Sequence, residues 1–254
     1  MLFNSWQFVA FFPIVVGGHW LLPASARWAW LLAASCVFYA AFVPAYLLIL
    51  FAVIAVDYAA GLLIARAEGP ARRGWLGLSI AANLSLLGFF KYWDFFAGNV
   101  HALGDLIGWN LPLPVLQLLL PIGLSFHVFQ SLSYTIEVYR GHQAAERHLG
   151  IYALYVMFWP QLVAGPIERP QNLLEQFHTP RPFNEDAAAA GLRRMLWGFF
   201  KKLVVADRLA QIVNPVFAAP AEHSGLAIAV AAAAFAFQIY CDFSGYSDIA
   251  LGAA

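Results

Sequence analysis

The feature that most constrains the fold is an apolar run of 38 residues, 28–65, in which Asp57 is the single charged side chain. A helix needs about 20 apolar residues to cross the hydrocarbon core of a bilayer, so this run is too long for one crossing and long enough for two. Pro44 is the natural break between them. Charged residues form 11% of the chain and hydrophobic residues 62%, whereas soluble domains carry about 25% charged residues. The sequence therefore predicts a polytopic membrane protein.

Charge and cysteine usage exclude other classes of function. The formal net charge is zero, and nucleic-acid binding needs a basic surface that displaces counterions from phosphates, so we expect no nucleic-acid partner. Cys36 and Cys241 lie far apart in separate apolar runs, which gives neither a disulfide framework nor a metal-ligand spacing. We expect no metal and no bound cofactor.

The distribution of arginines predicts the orientation in the membrane. Arg27 follows the first predicted span, residues 6–22, and three arginines lie within residues 66–73 after the third span. Basic residues collect on the cytoplasmic side of membrane proteins. Residues 94–110, read as a loop after a fourth span, contain two aspartates and no lysine or arginine, which suits the opposite side. The N-terminus is therefore expected to be extracytoplasmic.

Two later apolar segments are interrupted. Residues 111–139 form one predicted inward crossing that is bent or broken at residues 120–123. Residues 149–164 are short, contain Pro160 and precede a Gly-Pro pair, which favours a re-entrant hairpin over a full span. Irregular backbone at membrane depth is tolerated only where protein or a cavity covers it, so this hairpin indicates the wall of a channel or active site.

Residues 191–210 have the pattern of an amphipathic helix with a basic face, because Arg194, Lys201 and Arg208 repeat every seven residues. We favour an interfacial helix that lies against anionic lipid head groups, and a surface that binds a phosphate-bearing acyl carrier is the alternative. The predicted fold is all-α, a polytopic helical membrane protein with about six to eight membrane-embedded segments, including the hairpin and the interfacial helix. Residues 1–254 are expected to form a single membrane domain.

A dense polar cluster, residues 238–248, ends the last predicted span. Polar and ionisable groups are unfavourable in hydrocarbon and usually face a cavity or a protein interior. We therefore predict that this cluster lines a cavity or a substrate path. Its candidate residues are Tyr240, Asp242, Ser244, Tyr246 and Asp248.

Polar side chains also occur inside two of the predicted crossings. His127, Gln130 and Tyr134 fall at helical spacing, so one helix face could carry a hydrogen-bonded row along a substrate path. For His127 itself we favour a structural role with satisfied hydrogen bonds. Asp57 is interpreted as a hydrogen-bonded helix-packing residue in preference to a proton relay.

Three further candidates surround the predicted hairpin. Gln161 could donate a hydrogen bond in its wall. Glu168 and Arg169 follow the Gly-Pro turn, where they could pair with each other or help to receive a donor on the cytoplasmic side.

Four stretches resemble the membrane-bound O-acyltransferase family, and within it the bacterial branch typified by the membrane subunit of alginate O-acetyltransferase. They are residues 1–5 (MLFNS), 120–141 (LPIGLSFHVFQSLSYTIEVYRG), 158–170 (FWPQLVAGPIERP) and 238–252 (QIYCDFSGYSDIALG). The resemblance extends over nearly the whole chain, and the order of the four motifs makes it specific.

The resemblance implies an O-acyltransferase of the bacterial inner membrane. Such an enzyme takes an acetyl or other acyl group from a cytoplasmic donor, acetyl-CoA or an acyl carrier, and passes it across the membrane to hydroxyls of an exported polysaccharide such as alginate. Periplasmic acetyltransferase proteins are the implied partners, together with membrane lipid. The reaction needs a base for the acceptor hydroxyl and donors for the oxyanion.

The family assigns the base to a histidine in tryptophan-histidine motifs that come later than any motif of this chain. No catalytic residue is therefore assigned, and none of the seven histidines stands in a matching motif. We expect the chain to be the N-terminal part of an acyltransferase, without its C-terminal catalytic part and inactive alone. The alternatives are D-alanyl transfer to teichoic acid, a membrane transporter, or a non-catalytic scaffold in an export complex. Broken helices and intramembrane carboxylates also occur in transporters, although no inverted repeat is visible.

Overall fold

The computed structural model describes residues 1–108, 114, 116, 121, 123–162, 165, 167–179 and 182–254. These residues form α-helices and two short segments of π and 3₁₀ helix, without a β-strand among them, and the all-α prediction is confirmed. The α-helices are α1 (Trp6–Leu21), α2 (Ala24–Ala40), α3 (Tyr46–Arg66), α4 (Gly69–Ile107), α5 (Leu124–Arg140), α6 (Leu149–Met157), α7 (Pro170–His178), α8 (Glu185–Phe199), α9 (Asp207–Ala218) and α10 (Gly225–Ala253).

Three helices of the described part are long and apolar enough to cross a membrane, namely α3, α4 and α10, and α1 is a shorter apolar helix. The chain is thus a helical membrane protein. The expected total of about six to eight membrane-embedded segments stays a prediction.

Local sequence signals account for several helix ends. The Ser5 hydroxyl accepts a hydrogen bond from the backbone N–H of Phe8 and caps α1, as short polar side chains do at helix N-termini. Pro44 lies between α2 and α3, as its lack of a backbone N–H predicts. Pro70 stands in the first turn of α4, where a missing N–H leaves no bond unmade.

The extracytoplasmic loop predicted for residues 94–110 is wrong for its larger part, because α4 continues to Ile107. The loop was inferred from two aspartates, yet the segment has no proline and ends at Gly108, whose φ is 72°. At 1.5 Å per residue a helix of 39 residues is about 58 Å long, well beyond the ~30 Å hydrocarbon core. The helix ends where a glycine allows a left-handed turn, and the two aspartates do not interrupt it.

The two interrupted segments are only partly described. Helix α5 begins after Gly123, whose φ is 76°, and the rest of the predicted break at residues 120–123 lies mostly outside the described residues. Helix α6 occupies the first half of the predicted hairpin and is followed by turns at residues 159–162. Residues 163, 164 and 166 lie outside the described residues, so the re-entrant hairpin stays a prediction.

The chain divides into two compact units. The terminal unit comprises Met1–Leu31, Phe158–Pro166 and Pro180–Ala254, and the central unit comprises Leu32–Met157 and Ile167–Thr179. Each unit has its own buried core. The single membrane domain expected for residues 1–254 stays a prediction.

An aromatic cluster forms the core of the terminal unit around Trp159, which is 2% exposed. The Trp159 indole lies 5.4 Å from the ring of Phe11, 5.8 Å from that of Phe8 and 6.3 Å from that of Phe3, measured between centroids. The Phe3 ring also lies 5.8 Å from Tyr246 of α10. Three of the four family-like stretches, residues 1–5, 158–170 and 238–252, therefore contribute to one packing cluster.

Helices α3, α4 and α5 pack together in the central unit. Leu124, Val128 and Leu132 form a buried stripe on α5, spaced as one face of a helix requires. Side chains from α3 and α4, among them Ile49, Ile80 and Phe90, pack against this stripe.

Candidate functional site

Two glycine pairs bring α8 and α10 into backbone contact in the terminal unit. A methyl group on Gly198 would lie 2.6 Å from the carbonyl oxygen of Gly245, and one on Gly191 would lie 2.5 Å from the carbonyl oxygen of Gly252. The two glycines of each helix are seven residues apart. Gly191 pairs with Gly252 and Gly198 with Gly245, so the two helices run antiparallel. Small residues at such spacing let membrane helices approach closely.

Charged side chains flank these glycine pairs. The Arg194 Nε donates to Asp248 Oδ1 at 3.1 Å, and the Lys201 ammonium donates to Asp248 and, at 2.7 Å, to the Ser244 hydroxyl. The side chains of Lys201 and Asp248 are 15% and 16% exposed. Asp248 thus holds two cations that extend from α8 and from the segment that follows it.

Lys202 contacts a second pair of residues on α10, Asp242 and Tyr246. Its Nζ lies 2.6 Å from Asp242 Oδ1 and 2.8 Å from Asp207 Oδ1, and 5.4 Å above the ring of Tyr246. Burial lowers the pKa of Lys202, but the hydrogen bonds to Asp207 and Asp242 outweigh it and raise the pKa above the usual lysine value. Lys202 is therefore a permanent cation at neutral pH.

Lys201 and Lys202 lie in a π-helical segment, Phe200–Ala206, and the ammonium groups of both reach carboxylates of α10. Neighbouring residues of a helix point in different directions, about 100° apart in an α-helix and only slightly less in the wider turn of a π segment. The long, flexible lysine side chains span this difference.

The ion pairs change the interpretation of the basic face. Of the three residues that repeat every seven, Arg194 and Lys201 pair with Asp248, while Arg208 is exposed. The three cations Arg194, Lys201 and Lys202 are balanced by Asp207, Asp242 and Asp248. The face therefore offers little free positive charge near α10, and its contact with lipid head groups stays a prediction.

The predicted cluster on α10 is thus brought together only in part. Asp242 and Tyr246 meet at Lys202, and Ser244 and Asp248 meet at Lys201. Tyr240 is 65% exposed and lies apart from these contacts. That the cluster also lines a cavity stays a prediction.

A second polar network is buried between α3, α4 and α5 of the central unit, and its centre is Asp57, which is 0% exposed. The Asp57 carboxylate accepts a hydrogen bond from the Ser79 hydroxyl at 2.6 Å and bonds from the Asn83 amide at 2.8 and 2.9 Å. The Ser131 hydroxyl is a third partner. Asn83 also donates to the Ser79 carbonyl at 2.9 Å, which fixes the amide so that its nitrogen faces Asp57. The hydrogen-bonded helix-packing role expected for Asp57 agrees with these contacts.

Three tyrosines extend this network towards α6. The Tyr152 hydroxyl lies 2.8 Å from that of Ser131, and the Tyr134 and Tyr152 rings are 4.6 Å apart. The Tyr134 hydroxyl accepts a bond from the backbone N–H of Glu146 at 2.8 Å. The Tyr155 hydroxyl donates to the backbone carbonyls of Gln130 and Glu168. Of the predicted candidates, Tyr134, Gln130 and Glu168 therefore belong to one hydrogen-bonded region.

His127 and Gln130 are buried, at 2% and 4% exposure, on the same face of α5. The His127 ring meets the ring of Tyr39 edge-on at 5.7 Å. The Nε2 atoms of both side chains lack a hydrogen-bond partner among the described residues. The His127 ring also forms a hydrogen bond with the backbone of Val156, and both its structural role and its role along a substrate path stay predictions.

The remaining candidates lie in turns. Gln161 lies in the turn after α6, and its backbone N–H donates to the Phe158 carbonyl at 3.0 Å. Arg169 is exposed and precedes α7. The salt bridges of the described residues do not include a Glu168–Arg169 pair.

Sequence reasoning did not identify Ser79, Asn83 or Lys202 as members of these networks. A signal was present for the first two, because a serine and an asparagine four residues apart lie on one face of an apolar helix. The glycine spacing of seven residues in both helices of the terminal unit was a second signal. Lys202 gave none, because its pairing with Asp207 and Asp242 depends on how the helices pack.

These features define the class of the protein, a helical membrane protein with charged and polar networks between its helices. The chain is 40% identical over 255 residues to the probable alginate O-acetylase of Azotobacter vinelandii, which covers 99% of the chain and 50% of that protein. It is 38% identical to the probable alginate O-acetylase of Pseudomonas putida, over 99% of the chain and 52% of that protein.

A relative with a different named substrate is also similar. The peptidoglycan O-acetyltransferase of Helicobacter pylori is 33% identical over 285 residues, 99% of the chain and 53% of that protein. The teichoic acid D-alanyltransferase of Streptococcus thermophilus is 26% identical over 136 residues, 51% of the chain and 32% of that protein. No family model matches the chain.

The chain belongs to the membrane-bound O-acyltransferase family, and its recognition from the four sequence motifs is confirmed. It spans about half the length of the curated relatives that it matches over 99% of its own length.

Proposed function

We propose that the chain is part of a membrane O-acyltransferase that transfers an acetyl or other acyl group to hydroxyls of an exported polysaccharide such as alginate. The observation that carries this proposal is the 40% identity over 99% of the chain to a probable alginate O-acetylase. The peptidoglycan O-acetyltransferase supports the more general form, since it too is named for O-acetyl transfer to a glycan.

The proposed donor is a thioester, acetyl-CoA or an acyl carrier, on the cytoplasmic side. In the reaction the acceptor hydroxyl oxygen attacks the thioester carbonyl, the C–S bond breaks, and the hydroxyl proton passes through a base to the thiolate. Donors of hydrogen bonds must stabilise the oxyanion that forms in between. The resemblance gives the base role to a histidine outside the four motifs found in residues 1–254, and the role proposed for these residues is to build part of the membrane scaffold and of the path.

The proposed setting is the bacterial inner membrane, with an extracytoplasmic N-terminus and periplasmic acetyltransferase proteins as partners. Arg27 and the arginines of residues 66–73 support this orientation through the cytoplasmic preference of basic residues. Fusions of a periplasmic and a cytoplasmic reporter to the N-terminus test it directly. Activity of the cytoplasmic reporter alone would contradict the orientation.

The function is tested with the natural gene product that contains these 254 residues, expressed in a bacterium that makes alginate and lacks its own O-acetylase. The expected result is alkali-labile acetyl ester on the exported alginate, measured by nuclear magnetic resonance. Unmodified alginate, at a protein level in the membrane equal to that of a working O-acetylase, would contradict alginate as the acceptor. The same strain, analysed for acetylated peptidoglycan, separates the two glycans.

A second candidate is D-alanyl transfer to teichoic acid, which the partial similarity to a teichoic acid D-alanyltransferase favours. The two functions differ in the group transferred. Cells fed isotopically labelled acetate and D-alanine distinguish them, because the ester released from the cell envelope carries one label or the other.

A further inference from the structure

The arginines at the start of α4 differ from the paired cations Arg194, Lys201 and Lys202 of the terminal unit, because they have no carboxylate partner among the described residues. Arg194, Lys201 and Lys202 are all paired with aspartates. Arg72 and Arg73 form no ion pair with any described residue. Unbalanced positive charge that is held in a concave site favours an anionic ligand.

These two arginines line a cavity of about 460 Å³, together with Gly69, Pro70 and Tyr139. One Nη2 donor of Arg72 is bound to the carbonyl of Val138 at 3.0 Å, and the guanidinium lies 5.3 Å above the ring of Tyr139. These contacts hold Arg72 in place at the end of α5. Its Nε is shielded from solvent and has no hydrogen-bond partner among the described residues, while Arg73 is exposed.

Glu68, the acidic residue nearest in sequence, forms no ion pair with either arginine among the described residues. It is exposed and occupies the N-cap position of α4, but its side chain makes no capping hydrogen bond. The free N–H groups at the start of α4 add to the positive potential of the two guanidinium groups. A fixed guanidinium has the planar donor geometry that phosphate oxygens match.

We propose that Arg72 and Arg73, with Tyr139 and the first turn of α4, form a binding site for a phosphate group. The sequence-based alternative placed a phosphate-bearing carrier on the basic face of residues 191–210, whose Arg194 and Lys201 are paired with Asp248. The cavity at residues 69–73 retains its positive charge, and it lies in the segment whose arginines predict the cytoplasmic side. The phosphate can belong to an acyl donor such as coenzyme A or to an anionic phospholipid head group. The first source rests on the proposed function, and the second does not.

The test compares the purified protein, as its natural gene encodes it, with the variant Arg73→Gln in nanodiscs of phosphatidylcholine. Arg73 is exposed, so the fold should survive its replacement. Coenzyme A binding is measured by calorimetry, and phosphatidylglycerol binding is measured by native mass spectrometry after addition of that lipid. Arg193→Gln is the matched control, because Arg193 is also an exposed arginine but lies in the terminal unit.

We expect Arg73→Gln to lower the affinity for one of the two probes about tenfold, which is the usual effect of removing one charged hydrogen bond. Arg193→Gln should leave that affinity unchanged. A loss confined to coenzyme A identifies the donor as the source, and a loss confined to phosphatidylglycerol identifies the lipid. Equal binding by wild type and Arg73→Gln, equal losses in both variants, or no binding of either probe to the wild type would overturn the phosphate site.

These measurements involve no acyl transfer, so their failure is distinct from failure of the proposed function. If transfer from acetyl-CoA is found, an unchanged KM in Arg73→Gln would exclude the cavity as the donor site even where phosphatidylglycerol binds there.

Discussion

The two units accommodate carboxylates on membrane helices in different ways. In the terminal unit Asp242 and Asp248 are partly exposed, at 39% and 16% of their side chains, and each is paired with a lysine. In the central unit Asp57 is fully buried and is held by uncharged hydroxyl and amide donors. An ion pair has a smaller desolvation penalty where water still reaches it. A fully buried carboxylate is instead stabilised by several neutral donors, because their burial does not require the desolvation of a second charge. The comparison predicts that backbone contact, neutral hydrogen bonds and ion pairs contribute to stability in that order.

The largest effect is expected where helices touch through glycine. The variant Gly198→Val would place its Cβ 2.6 Å from the Gly245 carbonyl oxygen and 2.8 Å from Ile249. Because backbone cannot move aside as a flexible side chain can, we expect a loss of about 4 kcal/mol or more in the free energy of unfolding, or no folded protein. The yield of monodisperse protein in detergent and its thermal unfolding measure this.

The matched control is Gly77→Ala on α4, where a methyl group meets nothing within 4 Å. This variant should be neutral or slightly stabilising, by up to about 1 kcal/mol, because alanine favours a helix over glycine. Equal yield and equal thermal unfolding of the two variants would show that the contact between α8 and α10 is not tight.

An intermediate effect is expected at Asp57. The variant Asp57→Ala leaves the Ser79 hydroxyl and the Asn83 amide without their acceptor in a buried site, and we expect it to lower the free energy of unfolding by about 3 kcal/mol. Asp57→Asn keeps one acceptor oxygen and the shape of the side chain, so its effect should be about 1 kcal/mol. Denaturation of both variants in detergent measures the two losses in the free energy of unfolding. A loss from Asp57→Asn as large as that from Asp57→Ala would mean that the charge itself is essential, and would remove the contrast with the terminal unit.

The contrast between the networks also shows what sequence could and could not predict. Charge scarcity predicted the membrane class, and Pro44 predicted the division of residues 28–65 into two helices. The first span was predicted over residues 6–22, and α1 begins at Trp6. The polar stretch on α10 was singled out correctly as unusual, but its partners were not identified. A pairing between helices far apart in sequence, such as that of Lys202 with Asp242, depends on which helix faces meet. The prediction of a loop from residue 94, which rested on two aspartates, also placed the end of α4 too early, because a helix can continue through aspartates.

A smaller effect is expected from the ion pairs at Asp248. The variant Asp248→Asn leaves Arg194, which is half exposed, and Lys201 without their carboxylate. Because water screens part of the interaction, we expect a loss of about 1 kcal/mol that shrinks at high salt. Thermal unfolding at low and high ionic strength measures it, with Asp105→Asn, an exposed aspartate, as the control. A double variant Lys201→Met with Asp248→Asn should lose less than the sum of the two single losses if the pair interacts directly. Additive losses would contradict the pairing.

The smallest effect concerns the pH dependence of the Lys202 pairs. Burial lowers the pKa of Lys202, but its hydrogen bonds to Asp207 and Asp242 raise it by more, so that the pKa in the folded protein lies above the usual lysine value. A group whose pKa is raised on folding stabilises the protein fully below its unfolded pKa, about 10.4 for lysine, and this stabilisation is lost as the pH rises through the folded pKa. We therefore expect the difference in Tm between wild type and Lys202→Gln to be constant from pH 7 to about pH 9.5 and to shrink above about pH 10.4. Taking the difference between the two proteins cancels the titration of the other lysines and of the tyrosines. A difference that stays constant into strong alkali would show that the Lys202 ammonium does not stabilise the contact with α10.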